Sequence, residues 1–139
     1  MKRPTVNIQD GSGAKGHKAR IKKKAEAALK CLGLGNAELS VVLTDDAGIK
    51  ELNCKFRRIN KPTDVLSFPM EDPVVLGDVV ISVERARAQA CEFKVSMAKE
   101  LDKLLVHGIL HLLGHDHVKG GRQATRMRER EAEVLKTIA

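Results

Sequence analysis

The sequence predicts an α+β fold with mixed α/β layers: a small mixed sheet of about four strands packed with helices, and a histidine-bearing helix in the second half. Three observations predict it. Short β-branched segments alternate with helical ones as far as about residue 82. From Val83 onward the apolar residues recur at helical spacing only. No internal repeat, low-complexity segment or Pro/Ser-rich linker divides the 139 residues, so residues 1–139 read as a single domain.

Taken in order, Val6 and Ile8 alternate with polar neighbours in a short first strand, which Gly11-Ser12-Gly13 breaks. From about Lys15 to Leu32, Ile21, Ala25, Ala28, Leu29 and Leu32 recur at helical spacing, and Gly33 can close that helix. Its opposite face carries Lys18, Arg20, Lys22, Lys23 and Lys24, a run that is either solvated surface or a contact for RNA phosphates. Glu38 to Thr44 is rich in β-branched residues and reads as a buried strand. Asp45 or Asp46 then caps a helix whose apolar stripe is Ile49, Leu52 and Phe56. Strand, helix, strand in this order implies parallel pairing through a right-handed crossover. A loop over residues 57–63 leads to a strand over 64–69, and a Pro-containing connection leads to a strand over 76–82, the two able to pair as an antiparallel hairpin. Val83 to Phe93 forms a helix, and Ser96 caps the next, which carries Leu101, Leu104, Leu105 and the histidines. A last helix from about Arg122 to Ile138 offers Met127, Val134, Leu135 and Ile138 to the core.

Charge and composition narrow the function. There are 25 Lys and Arg against 18 Asp and Glu, a net +7 that favours a polyanionic partner such as nucleic acid. Trp and Tyr are absent and there are three Phe, so phosphate contact is expected rather than a surface of stacked bases. No apolar run approaches the ~20 residues that span a bilayer, and no membrane partner is expected. The N-terminal residues lack the apolar core of a signal peptide, so a cytoplasmic location is the expectation. Cys31, Cys54 and Cys91 are odd in number and form no C-x-x-C pair, and read as reduced core or near-core residues.

Four of the five histidines fall within His107-Gly108-Ile109-Leu110-His111-Leu112-Leu113-Gly114-His115-Asp116-His117. His107 and His111 are four apart and share a helix face. Gly114 can take the left-handed backbone that ends the helix, letting His117 fold back toward them. Three imidazoles so arranged make a site for one divalent ion, expected to be Zn²⁺, with a fourth position open for water. The spacing H-x-x-x-H-x-x-G-x-x-H resembles the metzincin zinc pattern, except that the general-base Glu is replaced by Gly108, which cannot move a proton. His115 lies four after His111 and is a candidate neighbour of the ligands. Asp116 can orient an imidazole N–H or be a plain turn residue, and Glu100, seven before His107, is a further candidate on nearly the same helix face. Arg57 has the planar fork that grips a phosphate and stabilises charge on phosphorus. Arg58 and Lys61 in the following loop, with Lys22 and Lys23, are candidate RNA contacts.

The histidine stretch matches the H-G-x-L-H-L-x-G-Y-D-H signature of the YbeY family of bacterial ribosomal RNA maturation endoribonucleases. Further matches are Leu52-Asn53, Phe56-Arg57, residues 61–69, Leu76-Gly77-Asp78, and Met127 with Glu131. The resemblance runs from about residue 50 to the end, and it departs at His115, where the family has Tyr. It implies a metal-binding α+β fold with His107, His111 and His117 as zinc ligands and Arg57 as the functional arginine. It also implies single-strand-specific RNA cleavage, tied to the 3′ end of small-subunit ribosomal RNA and to ribosome quality control, with ribosomal RNA, the small subunit and ribosome-associated proteins as partners. Two other readings stay open at this point. One is a non-catalytic ribosome-assembly factor with structural zinc, and the other a zinc peptidase with a substitute base.

Overall fold

The computed structural model describes residues 3–11, 16–114 and 121–139. Its elements follow the order β1 (Thr5–Asp10), α1 (Lys18–Cys31), β2 (Glu38–Thr44), α2 (Asp46–Arg57), β3 (Val65–Pro69), β4 (Val75–Ser82), α3 (Val83–Phe93), α4 (Met97–Leu112) and α5 (Gly121–Ile138). The α+β expectation holds: four strands form one mixed sheet in the order β1-β2-β4-β3. β1 and β4 both run parallel to β2, and β3 runs antiparallel to β4 at the sheet edge. The parallel partner on the far side of β2 is thus β4 and not β3, the next strand in sequence.

Side-chain alternation gives the sheet two unequal faces. Val6, Ile8, Leu39, Val41, Leu43, Val79 and Ile81 face the main core, with Ile21, Leu29, Leu101, Leu105, Ile109, Met127 and Val134 from the helices. There α1 packs on β1, α4 lies on β3 and β4, and α5 packs on both helices. Truncating a side chain as buried as Leu105 to alanine would cost about 2–5 kcal/mol. The opposite face is covered by α2, where Ile49 meets Leu66 and Val80, with Val42, Leu52 and Phe68 partly buried around them.

α2, α3 and α4 begin where short polar side chains satisfy their first amides. Asp45 accepts from the Gly48 N–H, Ser82 from Arg85 and Ser96 from Lys99. Asp45 is therefore the cap of α2, and Asp46 instead accepts a 2.7 Å bond from the Ser82 hydroxyl. Between β3 and β4, Asp72 accepts from the Val74 and Val75 amides, and these bonds, the one from Val75 foremost, hold its carboxyl below the usual carboxylate range.

Three expectations are corrected. Phe56 is 57% exposed and does not extend the buried stripe of α2; the buried position of that turn is taken by Asn53. Cys54 and Cys91 are exposed and Cys31 is half-buried, because the helix phase of α2 and α3 turns both thiols outward. Arg20, read with the solvated lysines of α1, turns inward to an ion pair with Asp102 of α4 at 2.6 Å. Its neighbour Lys24 donates to the Ile138 carbonyl of α5.

Candidate active site

α4 carries the site because its C-terminal half is apolar on one side and bears two imidazoles on the other. Leu104, Leu105, Ile109 and Leu110 are buried, while His107 and His111 are half-buried. Gly108, between them, lies against the sheet. A β-carbon placed there would sit 2.6 Å from Val79 Cγ1 and 3.2 Å from Val65 Cγ2. The position that holds the catalytic Glu in the metzincin pattern is thus a packing position with no room for a carboxylate. The Ser67 hydroxyl donates to the Gly108 carbonyl at 2.8 Å, tying the sheet edge to the helix at this point. α4 ends as its spacing implies, with Leu113 as the cap and Gly114 at φ +90°.

His107 and His111 meet ring to ring, centroids 4.7 Å apart, with their Nε2 atoms at 3.1 Å. The other nitrogen of His107, Nδ1, faces the Glu131 carboxylate of α5 at 3.1 Å. A carboxylate at Nδ1 calls for a proton there, which leaves Nε2 of the neutral ring as a lone pair directed at His111. That contact is satisfied either by an N–H on His111 Nε2 or by a metal ion held between the two rings. Two nitrogens bound at zinc bond lengths to one tetrahedral ion would lie about 3.3 Å apart, close to the spacing here. The donor set therefore fits a divalent ion. Among the described residues no third ligand converges on the pair. His117, the expected third ligand, lies outside the described residues, as do His115 and Asp116.

The histidines open into a cleft of about 570 Å³ lined by Arg57, Thr63, Asp64, Val65, Leu66, Ser67, Pro69, His107 and His111. Arg57 thus reaches the same cleft from the last turn of α2, on the far side of β3. Asn53 secures that turn: it is 2% exposed, its amide donates to the Lys61 carbonyl at 2.9 Å, and its Oδ1 accepts a long 3.5 Å bond from the Arg57 guanidinium. Arg58 ends the helix in a left-handed conformation, φ +57°. Asp64 is occupied as a brace, accepting from the Val65 amide at 2.8 Å and from the Gln89 side chain at 3.3 Å.

The structure brings together Arg57, His107 and His111, and it leaves other candidates elsewhere. Glu100 lies two helical turns away, pairs with Lys103 at 3.5 Å and lines a separate cavity with Phe93, Val95 and Leu135. Lys22 and Lys23 sit exposed on α1, which packs on β1 at the sheet edge opposite β3. Arg58 and Lys61 are exposed beside Arg57. Sequence reading gave no role to Glu131, Asn53 or Ser67. The signals were a carboxylate four after the buried Met127 and a polar residue at an apolar phase of α2.

Comparison with known proteins shows the family to which the chain belongs. The sequence model of the family described as "Endoribonuclease YbeY" matches residues 7–139. A protein of that name from Aquifex aeolicus is 52% identical over 126 residues, covering 88% of this chain and 84% of the relative. Another of the same name from Persephonella marina is 43% identical over 124 residues, covering 85% and 81%. The solution structure of a Thermotoga maritima protein superposes with a TM-score of 0.72 at 34% identity, covering 96% of this chain and 89% of that one. With a family match that takes in the strands, the arginine turn and the histidine helix together, the chain belongs to the YbeY endoribonuclease family.

Proposed function

We propose that the cleft is the active centre of a zinc-dependent endoribonuclease that cuts single-stranded RNA in the cytoplasm. Its substrate is the 3′ end of small-subunit ribosomal RNA, in maturation and in ribosome quality control. The observation that carries this reading is the meeting of Arg57 with His107 and His111 across β3 in one open cleft. A guanidinium opposite an imidazole pair suits a phosphodiester, whose non-bridging oxygens take two N–H donors from arginine. The family name of the relatives and the +7 charge support the same substrate class.

His107 and His111, with His117, would hold the ion, and Glu131 would keep His107 in the tautomer that presents Nε2. Zn²⁺ held there supplies Lewis acidity to a phosphoryl oxygen or to water. Arg57 binds the scissile phosphate and stabilises the charge that grows on it. Asn53 keeps the arginine turn against the loop at Lys61. Ser67 and Asp64 hold the cleft wall in shape, their polar atoms committed to Gly108, Val65 and Gln89. The packing of Gly108 counts against peptide hydrolysis, since no general base fits there.

The test compares wild type with Arg57→Ala on a defined single-stranded RNA. The variant is expected to fold and to bind RNA while cutting far more slowly. Cleavage unchanged in both Arg57→Ala and His111→Ala would trace the activity to a contaminant and overturn the reading.

A further inference from the structure

The turn that delivers Arg57 to the cleft also holds an aromatic ring out of the core. Phe56 is 57% exposed in a chain with only three aromatic residues. Its ring is not loose: it meets Phe68 of β3 edge to face, centroids 5.2 Å apart at 62°. Phe68 is itself anchored in the small cluster of Ile49, Leu66 and Val80. Lys55 Nζ lies 5.3 Å from the centroid of the Phe56 ring. Ile59, 37% exposed, follows the left-handed Arg58 in the same turn, and Lys61 lies just beyond. A fixed, half-exposed aromatic ring thus stands next in sequence to the arginine of the cleft, among cations.

We propose that Phe56 is a stacking platform for an unpaired nucleobase, on a nucleotide beside the one whose phosphate Arg57 holds. The proposal rests on the RNA reading of the cleft and adds a specificity determinant to it. In a duplex each base already has both faces stacked and cannot offer one to the ring, whereas a single strand can turn a base out. Preference for single strands then follows from one side chain, without hydrogen bonds to base edges, and is tolerant of sequence because every base has a π-face. The lysine and arginines around the ring supply the phosphate contacts that a stacking site for a single strand needs.

The test is a cycle between protein and RNA, read as binding rather than cleavage. A fluorescent eight-nucleotide 2′-O-methyl RNA is titrated with wild type, Phe56→Ala, Phe56→Leu and Phe56→Trp at fixed salt. The titrations are repeated on oligonucleotides with one abasic position stepped along the chain. Phe56→Ala and Phe56→Leu are expected to weaken binding about ten- to hundred-fold and Phe56→Trp to preserve it. One abasic position should weaken wild type by the same factor while leaving Phe56→Ala unaffected, and duplex RNA should bind all four proteins alike. Affinities of Phe56→Ala and Phe56→Leu within two-fold of wild type would overturn the platform, as would losses that persist at every abasic position. A wild-type protein that binds none of the single strands overturns the RNA reading itself, an outcome seen before any variant is compared.

Discussion

The two ends of α4 put their polar side chains to opposite uses. At the N-terminal end, Glu100 and Asp102 are buried carboxylates answered by cations: Lys103 reaches Glu100 at 3.5 Å, and Arg20 from α1 reaches Asp102 at 2.6 Å. At the C-terminal end, His107 and His111 turn their Nε2 atoms toward each other beside an open cleft, and Glu131 stands behind His107 at its Nδ1. One end uses Asp102 to tie α4 to α1 and pairs Glu100 within α4 itself, while the other sets two imidazoles at the wall of the cleft. A helix can thus be structural and chemical at once, provided the anchor lies turns away from the site it positions.

Substitutions at the two ends should therefore separate activity from stability, and the largest effects belong to the histidines. His111→Ala, and equally His107→Ala, should lose both the bound metal and RNA cleavage to background, measured by metal analysis of purified protein beside a cleavage assay. Arg57→Ala should lower kcat by about 10²–10³-fold, the scale for removing a donor that stabilises developing charge. Its thermal midpoint should stay put, since the side chain is exposed. Glu131→Gln keeps the shape but removes the charge behind His107. Metal affinity should fall about 10–100-fold in competition with a chelator, and an unchanged affinity would show that the carboxylate does not tune this ring.

At the other end the signature reverses. Asp102→Ala leaves Arg20 without its carboxylate and should reduce stability by about 1–3 kcal/mol in urea unfolding, with metal affinity unaltered. Gly108→Ala tests the packing between the two ends. The added methyl meets Val79 and should cost about 1–3 kcal/mol, and a neutral result would mean that the helix can lift from the sheet there. The smallest effect is expected from Lys22→Ala with Lys23→Ala. These residues lie on α1 over β1, roughly 14 Å of sheet away from β3, so the pair should weaken RNA binding uniformly and change kcat little.

Much of the fold was legible in the sequence because it is written locally. Asp45, Ser96 and Gly114 mark helix ends through bonds that span a few residues, and the alternation of Val6 and Ile8 with polar neighbours reports a buried face directly. The histidine pair was legible for the same reason, since i and i+4 share a face. What could not be read depends on long-range meetings. Nothing local says that Glu131 of α5 stands behind His107, that Arg20 pairs with Asp102, or that β4 rather than β3 lies beside β2. Phe56 was misread by periodicity, which gives the phase of a helix but not how far the covering sheet extends. α2 ends at the margin of β3, and its last aromatic ring overhangs.

The central claim, that the two cleft-facing histidines and Arg57 form a metal-dependent centre for cutting RNA, meets its most direct test in one measurement. Purified, metal-analysed protein is incubated with a defined single-stranded RNA before chelation, after chelation, and after stoichiometric zinc is restored, with His111→Ala carried in parallel. The account predicts cleavage that disappears with the metal, returns with about one equivalent per chain, and never appears in the variant. Cleavage that persists in fully chelated protein, or in His111→Ala, would contradict it.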